Sequence, residues 1–130
     1  MNAPPSPLRW HLRWLTAGWV FLVLVVLLSL TPRVPSLSGL RHFDKLEHCW
    51  AYLLLMAWFG GLSERSLHRW IALALVALGA VVELAQGAGG YRHADVWDLV
   101  ADGVGVLAGL WLARRWAPAW FGAAERALAR

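Results

Sequence analysis

Residues 94–109 read ADVWDLVADGVGVLAG, and their spacing decides what kind of protein this is. Asp95, Asp98 and Asp102 are followed by Gly105 and Gly109, at intervals of three, four, three and four. On an α-helix that series falls along one stripe, because residues three and four apart are neighbours on a face. The stripe is acidic at its start and bare of side chains at its end, whereas most of the remaining residues are apolar. A helix this apolar suits lipid, so its polar face is expected to meet other helices.

The rest of the chain points to the same solvent. Of 130 residues, 59% are hydrophobic and 15% charged, with a mean hydropathy of +0.51, which is too apolar for an ordinary soluble domain. Ten tryptophans suit a membrane interface. The net charge of +4 comes from scattered cations with no long basic run, which argues against a nucleic-acid partner. The lone cysteine, Cys49, excludes an internal disulfide and a multi-cysteine metal site, and reads as a small apolar residue.

Four apolar runs are present, at 14–30, 49–62, 70–84 and 99–113. A spanning helix needs about 20 residues to cross a hydrocarbon core of ~30 Å. The first run nearly suffices. The others reach that length only by drawing in polar ends, as 44–62, 70–86 and 94–113. The expected fold is therefore all-α, a four-helix transmembrane bundle forming one domain over 1–130, with a disordered Pro-rich tail at 1–8. The first run is expected to remain as a span. A signal peptide's apolar core is about 7–15 residues long, and the loose small-x-small site lies well beyond this run.

Cations orient the bundle. With the N-terminus inside, the cytoplasmic segments hold Arg9, Arg13, Arg65, Arg69, Arg114, Arg115, Arg126 and Arg130, and the outer segments hold Arg33, Arg41, Lys45 and Arg92. That asymmetry favours both termini in the cytoplasm. Trp10, Trp14, Trp70, Trp116 and Trp120 then share the inner interface, and the C-tail AWFGAAERALAR reads as a short surface helix.

The same topology collects the polar residues on the outer side. Asp44, Lys45, Glu47 and His48 open the second helix, Glu83 and Gln86 close the third, and Arg92, His93, Asp95, Asp98 and Asp102 surround the start of the fourth. A charge facing lipid costs on the order of 2.5–3.5 kcal/mol on insertion scales. One outer pocket of Asp44, Lys45, His48, Glu83, Gln86, Arg92, Asp95, Asp98 and Asp102 is therefore expected. Lys45 and Arg92 are its counter-ions, and Arg92 is able to grip a carboxylate such as Asp98 with two hydrogen bonds.

Structural readings stand beside the functional ones. Asp44 and Asp95 at helix starts have the character of caps. His48 is either a core histidine satisfied by Glu83 or Tyr52, or a site residue. Glu83 and Gln86 suit a structural pair with Lys45 or Arg92. Gly105 and Gly109 form a small-xxx-small pattern for close helix packing, with Gly79 on the third helix as a candidate partner surface. His48, Asp44, Glu83 and Asp98 are metal-ligand types, but their spacing is not diagnostic, and no metal or cofactor is assigned.

Three segments in order carry a resemblance: DKLEHCWAY (44–52), ELAQ (83–86), and Arg92, Asp98, Asp102, Gly105 and Gly109. Together they resemble the VanZ-like family of small integral membrane proteins, with its D-K-x-x-H-F-like opening, its E-x-x-Q pair, then Arg, Asp, Asn and two glycines at this spacing. The resemblance covers 44–109, and the first helix matches only in character. Cys49 stands where an aromatic residue is common, and Asp102 where Asn is frequent, which adds a charge to be neutralised by protonation or pairing. The resemblance implies a multi-pass protein of the bacterial inner membrane with a shared polar site. The family's founding member is associated with resistance to teicoplanin.

Three function classes follow. The first is a cell-envelope protein whose outward pocket engages a wall-precursor lipid or a lipophilic glycopeptide antibiotic, with the lipid bilayer as its surroundings. The second is a membrane-embedded hydrolase or transferase acting on an envelope lipid, with His48 beside Asp44, Glu83 and Asp98 for acid–base work and Lys45 with Arg92 to hold a phosphate. The chain lacks H-E-x-x-H, a nucleophile elbow and a P-loop. The third is a small proton-linked transporter using Asp102 and Glu83, against which stands the lack of an inverted repeat.

Overall fold

The apolar runs form helices in the computed structural model, which describes residues 10–32, 43–90 and 94–128, leaving aside the side chains of 44, 117 and 118. The expected tail at 1–8 lies outside that set. Among the described residues there are five α-helices and no strand. They are α1 (His11–Leu30), α2 (Phe43–Leu62), α3 (His68–Ala88), α4 (Val96–Arg115) and α5 (Ala117–Leu128), with a 3-10 turn, Arg65–Leu67, leading into α3.

Local chemistry sets the helix ends. α1 stops at Thr31, whose backbone is extended, and Pro32 follows where the helix would have continued. α3 closes on Gly89 and Gly90, and Gly90 takes φ +71°, a left-handed conformation that glycine adopts without a Cβ penalty. α4 starts at Asp95, whose carboxylate accepts a 2.9 Å hydrogen bond from the Trp97 backbone N–H and so satisfies one of the free donors of the first turn.

Three segments among the described residues are long and apolar enough to cross a membrane: His11–Leu30, Arg65–Ala88 and Val96–Arg115. α2 matches them in length, at 20 residues, but carries Lys45, Glu47 and His48 in its opening turns. It is also the hub of the molecule, touching α1, α3, α4 and α5. The core, Tyr52, Leu55, Met56, Leu75 and Val106, is centred on it.

Side-chain contacts give the helix directions. The start of α1 meets the end of α2, where the Trp58 indole N–H donates to the Trp14 carbonyl at 2.9 Å. The ends of α1 and α3 meet through Gln86, whose amide donates to the Ser29 carbonyl at 2.7 Å. α2 and α4 run parallel, since His48 faces Asp102 near their starts and Gly60 faces Ala113 near their ends. α2–α4 is the most extensive helix pairing, although α3 separates the two helices in sequence.

The C-tail forms the short helix expected beyond the four apolar runs, but its docking on the bundle was not foreseen. α5 does not lie free on the surface. Phe121 is buried edge-on against Trp14 and Trp58, with ring centroids 5.4 Å from each. Glu125 Oε1 accepts from the Trp10 backbone N–H and the Trp14 indole N–H, both at 3.1 Å. A carboxylate at the start of α1 satisfies donors that its own sequence leaves uncapped and favours the positive end of the helix dipole. The amphipathic pattern of 117–128 is legible, but its docking partner lies more than a hundred residues away.

The outer faces are apolar. Trp19, Val23 and Leu27 of α1, Leu73 and Leu84 of α3, and Val104, Leu107 and Trp111 of α4 are all exposed. A continuous apolar perimeter of this kind is far beyond the patches that a soluble monomer tolerates. It suits a surrounding of lipid.

Candidate functional site

The polar residues collect where α2 and α4 start and α3 ends. Lys45 and His48 lie three apart on α2 and so share a face. The Lys45 ammonium bridges two carboxylates of α4, donating to Asp95 and, at 2.7 Å, to Asp98 Oδ1. Asp95 is thus both the helix cap and a partner of Lys45. One turn deeper, the His48 ring bonds Asp102 across the α2–α4 seam, with Nδ1 to Oδ1 at 3.0 Å. With the carboxylate accepting, Nδ1 carries the proton, and in the neutral imidazole Nε2 is left as the acceptor.

α3 supplies the third wall. Glu83 Oε2 accepts the Asp95 backbone N–H at 2.9 Å, which ties the end of α3 to the cap of α4. One ligand atom each from His48, Glu83 and Asp98 lie within 4.8 Å of one another. These three side chains and Asp102 are all buried. Buried polar groups are normally hydrogen-bonded. Yet among the described residues His48 Nε2, Glu83 Oε1 and Asp102 Oδ2 have no partner.

Of the residues singled out from the sequence, Lys45, His48, Glu83, Asp95, Asp98 and Asp102 come together through these contacts. Gln86 is buried as well, but its amide is spent on Ser29 of α1 and secures the α1–α3 contact. Arg92 and the Asp44 side chain lie outside the described residues. His48 finds its partner in Asp102, where Glu83 or Tyr52 was the expectation. The helix-pairing pattern decides this, because α4 adjoins α2 face to face.

The glycines divide in an unforeseen way. A Cβ at Gly105 would overlap the Cys49 carbonyl oxygen and come within 3.1 Å of the Leu53 backbone nitrogen. One at Gly109 would overlap the Leu53 carbonyl oxygen and sit 2.7 Å from the Met56 Cβ. Both glycines therefore press on α2. Gly79, expected to receive them, instead lies beneath Asp102: a Cβ there would stand 2.5 Å from Asp102 Oδ2. Gly79 makes room for a buried carboxylate, a role that its place in an apolar run does not reveal.

A cleft of about 530 Å³ adjoins the cluster between the end of α1 and the start of α2. Val25, Leu28, Ala51 and Tyr52 line it alongside Glu47 and His48. It was not legible in the sequence, because the first helix carries no polar motif to tie it to the site. No family model, curated protein or solved structure matches the chain.

Proposed function

We propose that the chain is a VanZ-like protein of the bacterial inner membrane that holds an envelope amphiphile, a wall-precursor lipid or a lipophilic glycopeptide antibiotic, at an outward-facing polar pocket. In this reading α1 to α4 all span, and both termini are cytoplasmic. The observation that carries it is the cleft beside His48. Its apolar wall, Val25 and Leu28, runs on to the exposed flank of α1, while Glu47 and His48 stand at its polar end. An apolar cleft with a few convergent polar groups suits a ligand with an acyl chain and a polar head.

Orientation is supported by the opposite end of the bundle. Arg13 lies over Trp10, Arg69 over Trp70 and Arg115 over Trp111, with 5.0, 5.1 and 6.0 Å to the ring centroids. Arginine and tryptophan together at one end match the cytoplasmic interface of a positive-inside protein. In a Cys49→Ala background, a cysteine at position 65 is expected to resist an external thiol reagent, and one at position 38 to react. The opposite pattern inverts the topology.

Mass spectrometry of lipids that co-purify with the protein tests the ligand. Ala51→Leu fills the cleft without touching a charge, and is expected to deplete the bound amphiphile about tenfold, the equivalent of about 1.4 kcal/mol. Equal lipid content in both proteins would refute the reading. A membrane-embedded hydrolase or transferase is the second reading. The His48–Asp102 pair favours it, since a histidine oriented by a carboxylate is the usual build of a general base. Turnover of a lipid-linked substrate, abolished by His48→Gln, would move the assignment there.

A further inference from the structure

We propose that His48, Glu83 and Asp98 bind one divalent first-row transition-metal ion, with Zn²⁺ the best-matched candidate. The three residues come from three different helices, α2, α3 and α4, and offer donor atoms within 4.8 Å of one another. They are 4%, 6% and 3% exposed, so the site is enclosed. Donors sharing one zinc ion at bonds of about 2.0–2.2 Å stand about 3–3.5 Å apart, a closure within the reach of small side-chain rotations.

Proximity of acids alone would not point to a metal. The independent observation is the pair of atoms left without a partner among the described residues, His48 Nε2 and Glu83 Oε1. Each carries a desolvation cost while it stays unmatched. In both side chains the other polar atom is already engaged, His48 Nδ1 by Asp102 and Glu83 Oε2 by the Asp95 backbone N–H. With both side chains deprotonated, as a metal requires of its ligands, what remains is a nitrogen lone pair and a carboxylate oxygen, both acceptors. Two neighbouring acceptors cannot satisfy each other, but a cation satisfies both.

Asp98 completes the set. It accepts from Lys45 through Oδ1, and a carboxylate has about four lone-pair positions, enough to serve an ammonium and an ion together. Asp102 has the place of the outer-shell carboxylate that holds a metal-binding histidine in the right tautomer, here with Nδ1–H bonded and Nε2 presented. One imidazole and two carboxylates suit Zn²⁺, Mn²⁺ or Fe²⁺ better than the soft-ligand ions, and affinity at such a site favours Zn²⁺ over Mn²⁺. Three protein ligands leave a coordination position for water or an oxyanion such as a phosphate. The site stands on these contacts alone and does not depend on the amphiphile reading.

The test uses the full chain in detergent, stripped with a chelator and titrated with ZnCl₂ by calorimetry. One ion per chain is expected, with Glu83→Gln and His48→Gln each weakening binding about tenfold or more, or about 1.4 kcal/mol, and with exposed His11→Gln as the unchanged control. CoCl₂ added to the wild-type protein is expected to give a visible absorption band and an imidazole in the metal's X-ray absorption fine structure, an arm that needs no variant to fold. Overturning results would be no stoichiometric Zn²⁺ binding by the wild type, no imidazole bound to Co²⁺, or unchanged affinity in both folded variants. Lipid content is measured on the chelator-stripped protein, so loss of the metal site and loss of the amphiphile are separate results.

Discussion

Gly105→Leu and Gly109→Leu are expected to prevent α2 and α4 from assembling, while membrane insertion continues. Insertion responds to hydropathy, which leucine raises. Assembly responds to the distance between backbones. At Gly105 the atoms that a Cβ would meet are the Cys49 carbonyl and the Leu53 amide, and at Gly109 they include the Leu53 carbonyl and the Ala57 nitrogen, 3.1 Å away. These are backbone atoms, so no rotamer change relieves the clash and the helices must move apart. Overpacking in a core costs about 1–3 kcal/mol when side chains can yield, and more is expected where they cannot. Alanine should already be damaging at either position.

Gly103 supplies the contrast on the same helix. A Cβ there meets nothing within 4 Å, and replacing a helical glycine by alanine favours the helix by up to about 1 kcal/mol. Thermal unfolding in detergent should therefore rank Gly103→Ala at or above the wild type and both Gly105→Ala and Gly109→Ala well below it. Should Gly105→Ala match Gly103→Ala, the close contact between α2 and α4 is not what holds the bundle.

The second large effect concerns His48 and Asp102. Both are almost fully enclosed, with side chains 4% and 1% exposed. Interhelical hydrogen bonds in membranes average about 0.6 kcal/mol and reach about 1.7 kcal/mol in double-mutant cycles. Removing one partner of a buried hydrogen bond leaves the other unsatisfied, at a cost of about 1–3 kcal/mol, and more when the group left is charged. Asp102→Leu is expected near the top of that range. Combining it with His48→Leu should recover part of the loss, with a coupling of about 1.5 kcal/mol or more. Asp102→Asn retains an oxygen to accept from Nδ1 and should be far milder than Asp102→Leu. Strictly additive single losses, measured by unfolding in the same detergent, would mean that the two side chains do not act as a pair.

The legible part of the site follows from periodicity. Intervals of three and four put Asp95, Asp98, Asp102, Gly105 and Gly109 on one stripe whatever surrounds them, because 3.6 residues make a turn. The apolar runs make an all-helical chain with segments suited to lipid, and the cost of charges at depth makes their convergence predictable. A cation among these acids belongs to this level, since a buried acid requires a counter-charge and few cations are available there. That Lys45 takes Asp95 and Asp98 does not, because Asp98 was expected to meet Arg92 and Lys45 to meet Glu83 or Gln86.

Which acid meets which base was a matter of placement. Parallel packing of α2 on α4 turned His48 to Asp102 and pressed Gly105 and Gly109 onto α2. Gly79, left free of that role, became the space for a carboxylate, and Gln86 turned to Ser29. The docking of α5 brought Glu125 to the start of α1. None of these pairings is encoded in spacing along the chain. Spacing sets the face that a residue occupies on its own helix, while its partner depends on which neighbour that face meets and at what depth. Both are set by side-chain volume at the contact, where a missing Cβ allows two backbones to close and thereby decides the register of every polar group above it.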